Sequence, residues 1–314
     1  MEIRTFQPDD EGRQAAIYNA AAADLPKFKP ASAQEILRRT RAKDFDPTTR
    51  FYAEKNGEVV GYSMFNPNGR VSYPWCLKGH ESAADPLFKE VLHTMNERGF
   101  RRAFAAYRGD WPGIRDFFLG YGFRQVREMI NYVVDLIELP TAPARPGSSM
   151  SPLERKDVPA VLAMIPEALR VNRAEDLEAH LFQNPYFGPE SVYVLRSRAD
   201  QTPVAVGVLI TNETYADPRQ VDAGMPCFRL GAFGSEGMQV KRVKGMFSFL
   251  ARKDQNIPAL ALDLLGLASV RLRDTDDIST LGAQVASDVP ILMQFYQRNF
   301  RRQGSFPVFE RELT

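Results

Sequence analysis

Across 314 residues the chain has only two cysteines, three histidines and two tryptophans. Cys76 and Cys227 fall one in each half with no C-x-x-C spacing, which argues against a disulfide scaffold and a thiolate zinc site. His80, His93 and His180 are scattered, and none forms an H-x-x-x-H pair, so no metal is expected. Charge of one sign is also missing. Forty basic residues against 39 acidic ones leave a net charge of +1, so no global field draws the chain to nucleic acid or to an anionic membrane surface. No apolar run approaches the ~18 residues that would span a bilayer. The opening Met1-Glu-Ile-Arg-Thr-Phe6 lacks the charged-then-apolar layout of a secretion signal, and the cytoplasm is the expected address.

What is present is a repeat. Asp110-Trp-Pro-Gly-Ile-Arg-Asp-Phe117-Phe118 and Asp288-Val-Pro-Ile-Leu-Met-Gln-Phe295-Tyr296 begin with Asp, place Pro two residues later and end on an aromatic pair. Self-similarity near the end of each half implies two related domains in tandem. The copies differ in one hydroxyl: Phe118 lacks what Tyr296 carries.

The elements follow the same duplication. Strands are expected at 2–6, 103–107 and 126–136, and helices at 11–23, 33–42, 85–98 and 111–120. Asn56-Gly57 between 51–55 and 58–65 signals a type I′ hairpin, and 70–75 reads as a further strand. Pro140, Pro143, Pro146 and Pro152, with Gly147 and several serines, mark 139–152 as a linker between domains 1–138 and 153–314. The order then restarts. Helices are expected at 158–169 and 174–181, and a hairpin at 191–196 and 204–211. Strand 243–250, a helix opened by Pro258, strand 278–285, helix 289–299 and strand 306–313 complete the second copy. Gly61 and Gly207 are 146 residues apart, whereas Phe118 and Tyr296 are 178 apart. The second copy therefore carries an insertion of about 32 residues, placed around 212–240, with a strand near 228–233.

This order, together with Asn56-Gly-Glu-Val-Val-Gly61-Tyr and Phe117-Phe118-Leu-Gly-Tyr-Gly122-Phe123, resembles the GNAT N-acetyltransferase superfamily. Phe295-Tyr296-Gln-Arg-Asn-Phe300 is similar to the same F-Y-x-x-x-G-F signature but loses a residue and the Gly. Length and layout are similar to the mycothiol synthase type of double GNAT protein. The resemblance implies an α/β (α+β) fold of two tandem GNAT-like domains, each a mixed, mostly antiparallel sheet flanked by helices. It also implies acetyl-CoA as co-substrate and a small-molecule or peptide amine as acceptor, with no nucleic-acid or membrane partner.

The same resemblance nominates residues. Tyr296 would protonate the departing thiolate, and backbone groups of Phe249, Leu250 and Ala251 would polarise the acetyl carbonyl. The family's phosphate loop, Q/R-x-x-G-x-G/A, is degenerate in both copies. In the first, Lys78-Gly-His-Glu81-Ser-Ala83 puts a carboxylate where phosphate would lie. In the second, Arg242-Val-Lys-Gly245-Met-Phe247 matches in letters but lies in a strand-like run. Asp254-Gln255-Asn256-Ile257-Pro-Ala259 matches less well but precedes a helix, and it is preferred on position. Asp288 reads either as a contact to pantetheine or as the N-cap of the helix beside it. Glu213, Asp222 and Glu236 are candidate bases, or solvated loop carboxylates. Arg298, Arg301 and Arg302 could meet a CoA phosphate, or simply complement a helix C-terminus. The second domain is the expected active one. The alternative is a GNAT-fold binding protein without catalysis.

Overall fold

The computed structural model describes residues 1–28, 30–41, 45–139, 149–169, 171–183, 187–210, 243–273 and 280–314. Its first half runs β1 (Glu2–Thr5), α1 (Asp10–Ala22), α2 (Ala33–Thr40), β2 (Arg50–Lys55), β3 (Glu58–Met64), β4 (Trp75–Cys76), α3 (Ala84–Glu97), β5 (Arg102–Ala106), α4 (Pro112–Gly120) and β6 (Arg124–Asp135). The second runs β7 (Ser149–Pro152), α5 (Val158–Leu162), α6 (Pro166–Leu169), α7 (Ala174–Phe182), β8 (Val192–Arg196), β9 (Pro203–Ile210), β10 (Val243–Ala251), α8 (Ile257–Arg273), β11 (Thr280–Ala286), α9 (Pro290–Asn299) and β12 (Arg301–Glu312).

Two compact units result: Met1–Glu128 with Phe306–Thr314, and Met129–Ser305. They are cut differently from the linear halves 1–138 and 153–314, because the closing strands are exchanged. In unit 1, β5 pairs antiparallel with the chain's last strand, Arg102 to Ala106 against Glu312 to Val308. In unit 2, β11 pairs antiparallel with β6, Thr280 to Ala286 against Asp135 to Met129. A strand-period pattern is the same whichever partner it takes, so the exchange leaves no mark on the sequence.

Unit 1 has an antiparallel sheet in the order β1–β2–β3–β4. Asn56 (φ 53°) and Gly57 (φ 81°) both take positive φ, which is the I′ turn that the Asn-Gly pair requires. The expected strand at 70–75 contracts to Trp75–Cys76 plus single bridges at Arg70 and Val71. Pro74 has no N–H for a ladder, and the Tyr73 N–H goes to the Tyr107 hydroxyl instead. The core packs Tyr52, Val60, Phe65, Leu87, Phe88, Phe118 and Phe309. A Cβ on Gly61 would lie 2.8 Å from Cys76 Sγ and 3.1 Å from both Leu87 and the Trp75 carbonyl, so the hairpin needs glycine there.

Unit 2 is ordered β6–β11–β10–β9–β8–β7 and is antiparallel except for β10–β11. Strand β7 occupies the end of the segment read as linker: Ser149 to Pro152 pair with Arg196 to Tyr193. The helix expected over 158–169 is broken into α5 and α6, because Pro166 cannot continue the i→i−4 ladder. Gly207 repeats the role of Gly61, with Leu264 of α8 packed 3.0 Å from where its Cβ would stand. The insertion read at 212–240 lies outside the described residues.

His180 on α7 is buried, with its ring edge-on to Phe187, and burial pushes its pKa down to about 4. The unfolded value is about 6.5, so between these limits only the unfolded chain takes up the proton. The neutral-His contribution is complete above pH 6.5. It falls by roughly 1.4 kcal/mol per unit as the pH drops from there towards 4. Melting curves of wild type and His180→Phe are expected to diverge over this window, the variant losing less. Parallel curves would contradict the assignment.

Candidate functional site

In unit 2, β10 and β11 begin as parallel neighbours and then part. Their pairing runs from Val243↔Thr280 through Gly245↔Leu281 to Met246↔Gly282, with a register shift after Val243, and stops there. Both strands continue past that point. Strand β10 stays on β9 as far as Ala251↔Ala205, and β11 stays on β6 as far as Ala286↔Met129. The result is a gap in the sheet, flanked by Phe247–Ala251 on one side and Ala283–Ala286 on the other.

Strand geometry decides which backbone groups face the gap. In an antiparallel pair the N–H and C=O of one residue point the same way, and the direction alternates along the strand. The Arg252 N–H donates to the Val204 carbonyl at 2.9 Å, so Leu250 and Ser248 also point to β9. Phe247, Phe249 and Ala251 therefore turn their polar groups towards the side β11 has left. Of the three strand-end residues nominated by sequence, Phe249 and Ala251 present N–H groups to the gap, while Leu250 is committed to β9.

Tyr296 reaches this gap. Its hydroxyl donates to the Phe247 carbonyl at 3.4 Å, from a side chain only 2% exposed. Tyr132, Phe249, Phe295 and Phe300 hold the ring at centroid separations of 5.1 to 5.9 Å. Burial raises the phenol's pKa well above the ordinary tyrosine value, opposed by the Ser248 side chain. The group is protonated at neutral pH and lies beside backbone donors, a combination suited to giving a proton to a leaving group.

The helix start after β10 is less open. Loop residues Arg252 to Asn256 precede α8, so 254–259 stands at a helix N-terminus, whereas 243–247 of the rival alignment is strand. Pro258 lacks an N–H. The Ala259 N–H is capped by Asn256 Oδ1 at 3.2 Å, and the Gln255 N–H goes to the Arg252 carbonyl. Among the described residues, the Ile257 N–H is a first-turn donor with no hydrogen-bond acceptor in the protein. Gln255 and Asn256 are exposed, while Ile257 and Ala259 are buried. Arg252, the nearest guanidinium, is held by Asp254 at 2.6 and 3.0 Å.

Asp288 is exposed just before α9, and the N-cap position of that helix is Val289 rather than Asp288. The Val289 backbone (φ −120°, ψ 73°) nearly superposes on Trp111 (φ −112°, ψ 71°), each followed by Pro, so the repeated segments share conformation as well as letters. Phe118 is fully buried and stacked on Phe309 and Tyr107. Arg301 is engaged by Asp135 and Glu138 rather than left for a phosphate. Arg298 is exposed in the last turn of α9. Glu213, Asp222 and Glu236 lie outside the described residues. Among the described residues no cluster of three metal-ligating side chains occurs, and no helix is long and apolar enough to cross a membrane. Sequence reasoning did not single out Tyr107, whose hydroxyl accepts the Tyr73 N–H, or Ser248, whose side chain meets Tyr296. Carrying the repeat three residues upstream of Asp110 and Asp288 pairs Tyr107 with Val285, a signal that was legible.

No family model matches the chain. It is similar to a mycothiol acetyltransferase of Acidothermus cellulolyticus, 31% identical over 108 residues. That match spans 33% of each protein, so the chain covers a third of this relative's length. Among solved structures it is similar to a GCN5-related N-acetyltransferase from Sphaerobacter thermophilus, with TM-score 0.61 at 15% identity over 99% of this chain and 95% of that one. It is also similar to a tandem GNAT protein from the clavulanic acid biosynthesis pathway, with TM-score 0.56 at 13% identity over 100% and 98%.

Proposed function

We propose that this chain, which has the GNAT N-acetyltransferase fold, transfers an acetyl group from acetyl-CoA to a small-molecule or peptide amine, and that unit 2 does the chemistry. The observation that carries this reading is the Tyr296 hydroxyl on the Phe247 carbonyl, at the point where β10 parts from β11. Acetyl-CoA brings an acyl group already activated as a thioester. The residues present fit that end of it: the N–H groups of Phe249 and Ala251 meet negative charge developing on the acyl oxygen. Tyr296 gives its proton to the sulfur as the C–S bond breaks and the C–N bond forms, the amine nitrogen sheds one proton to solvent, and the tyrosinate takes one back. The apolar wall of Phe249, Phe295 and Phe300 excludes water from these groups.

The phosphate end fits less fully, with one helix N–H left and a guanidinium tied to Asp254. Asp254→Ala is accordingly expected to release Arg252 and tighten acetyl-CoA binding by roughly 3- to 10-fold at low salt, the gain shrinking as salt screens it. Calorimetric titration at two ionic strengths measures this. An unchanged or weaker affinity would contradict the placement of phosphate at this loop. The same poor phosphate loop favours the second reading, a binding protein without catalysis. CoA binding with no thiol release across a broad amine panel would select it.

A further inference from the structure

Unit 1 has its own parting of strands, and its own side chains stand in it. The Val71 N–H donates to the Phe104 carbonyl at 2.8 Å, the last contact before the chain leading to β4 leaves β5. Two residues on, in the same strand phase, the Tyr73 N–H turns to the same side and donates to Tyr107 Oη at 2.6 Å. The Tyr107 ring stacks on Phe118 at 5.7 Å and packs near Trp111 and Trp75. In the repeat, Tyr107 corresponds to Val285, which has no hydroxyl and less bulk.

The loop before α3 is occupied as well. Gly79, at φ 85°, gives its N–H to Glu81 Oε1 at 2.9 Å. That bond, helped by the residue's own N–H, holds the Glu81 carboxyl below the usual carboxylate range. A carboxylate of this chain thus sits on the donor that an incoming phosphate would meet.

We infer that unit 1 is a GNAT-like unit whose two ligand positions are filled from within: the Tyr107 hydroxyl on the N–H that would polarise an acyl carbonyl, and the Glu81 carboxylate on the N–H that would meet a phosphate. The inference rests on the proposed function only for the identity of the ligand these positions would take. It makes the loss of CoA binding in unit 1 a property of two side chains rather than of the fold.

Calorimetric titration of the full chain with CoA tests it. Wild type and the Tyr107→Val/Glu81→Gly variant are compared, and the variant is expected to gain one site. A variant with no more sites than wild type overturns the inference, as does a wild type that already binds two. If wild type binds none and the variant binds one, the inference stands and the proposed role of unit 2 falls. Tyr107→Phe, which keeps the ring, gives a second readout without emptying the core. Amide hydrogen exchange at Tyr73 is expected to speed up at least 10-fold, and unchanged exchange counts against the inference.

Discussion

Tyr296→Phe is expected to lower kcat for acetyl transfer by roughly 10²- to 10³-fold, with the KM for acetyl-CoA within about two-fold of wild type. The substitution removes one oxygen and keeps the ring that packs on Phe249, Phe295 and Phe300. Its hydroxyl donates one long bond, 3.4 Å to the Phe247 carbonyl, and meets the Ser248 side chain, so its loss is expected to cost no more than about 1–2 kcal/mol of stability. The effect is therefore on chemistry, not on folding. Because burial holds the phenol protonated well beyond the usual tyrosine range, the wild-type rate is expected to show no fall from Tyr296 ionisation below about pH 10. Thiol release with a panel of primary amines measures both. A variant that retains wild-type kcat would remove Tyr296 from the mechanism.

The largest stability effect is expected at Arg196. Its Nη1 and Nη2 donate to Asp157 Oδ1 and Oδ2 at 2.9 and 2.7 Å, and Nε donates to Ser151 Oγ at 2.7 Å. The Arg196 side chain is 8% exposed and that of Asp157 is 3%. Burial alone would push the Asp157 carboxyl up, but Arg196 and the Glu154 N–H hold it below its ordinary value. Arg196→Met leaves that carboxylate buried with its charge uncompensated and is expected to cost roughly 3–5 kcal/mol, or about 10 °C in Tm for a unit of this size. Arg196→Met with Asp157→Leu removes both charges and should recover much of the loss. A single variant within about 1 kcal/mol of wild type would show the pair to be dispensable. Since Asp157 has a lowered pKa in the folded chain, the pair's contribution is present above the unfolded carboxyl value near 3.9 and lost as pH falls below it.

Much of this architecture was legible in the residues. Asn56-Gly57 specified its turn because few residues other than Asn and Gly take positive φ in succession. Gly61 and Gly207 marked corresponding hairpins because a helix leucine packs against each of them. The repeat placed α4 and α9 through the prolines that open them. What the residues did not show is set by longer-range choices. The exchange of β6 and β12 is a matter of partner, and partner choice leaves the alternation of a strand unchanged. Strand β7 was hidden by prolines that also suit an edge strand, where a missing N–H costs little. For the candidate site, the repeat and Pro258 nominate Tyr296 and the 254–259 loop, and the structure places the first beside the parting of β10 from β11 and the second at a helix start. The phase of β10, which turns Phe249 and Ala251 to the gap and Leu250 away from it, needed the ladder itself.

Hydrogen exchange of the full chain with and without acetyl-CoA tests the central claim most directly. The expected result is new protection at the amides of Phe247–Ala251 and of residues 252–260, with no change over residues 71–84 of unit 1. Protection confined to 71–84, or none in either segment at millimolar acetyl-CoA, would contradict the assignment of the thioester site to the β10–β11 gap.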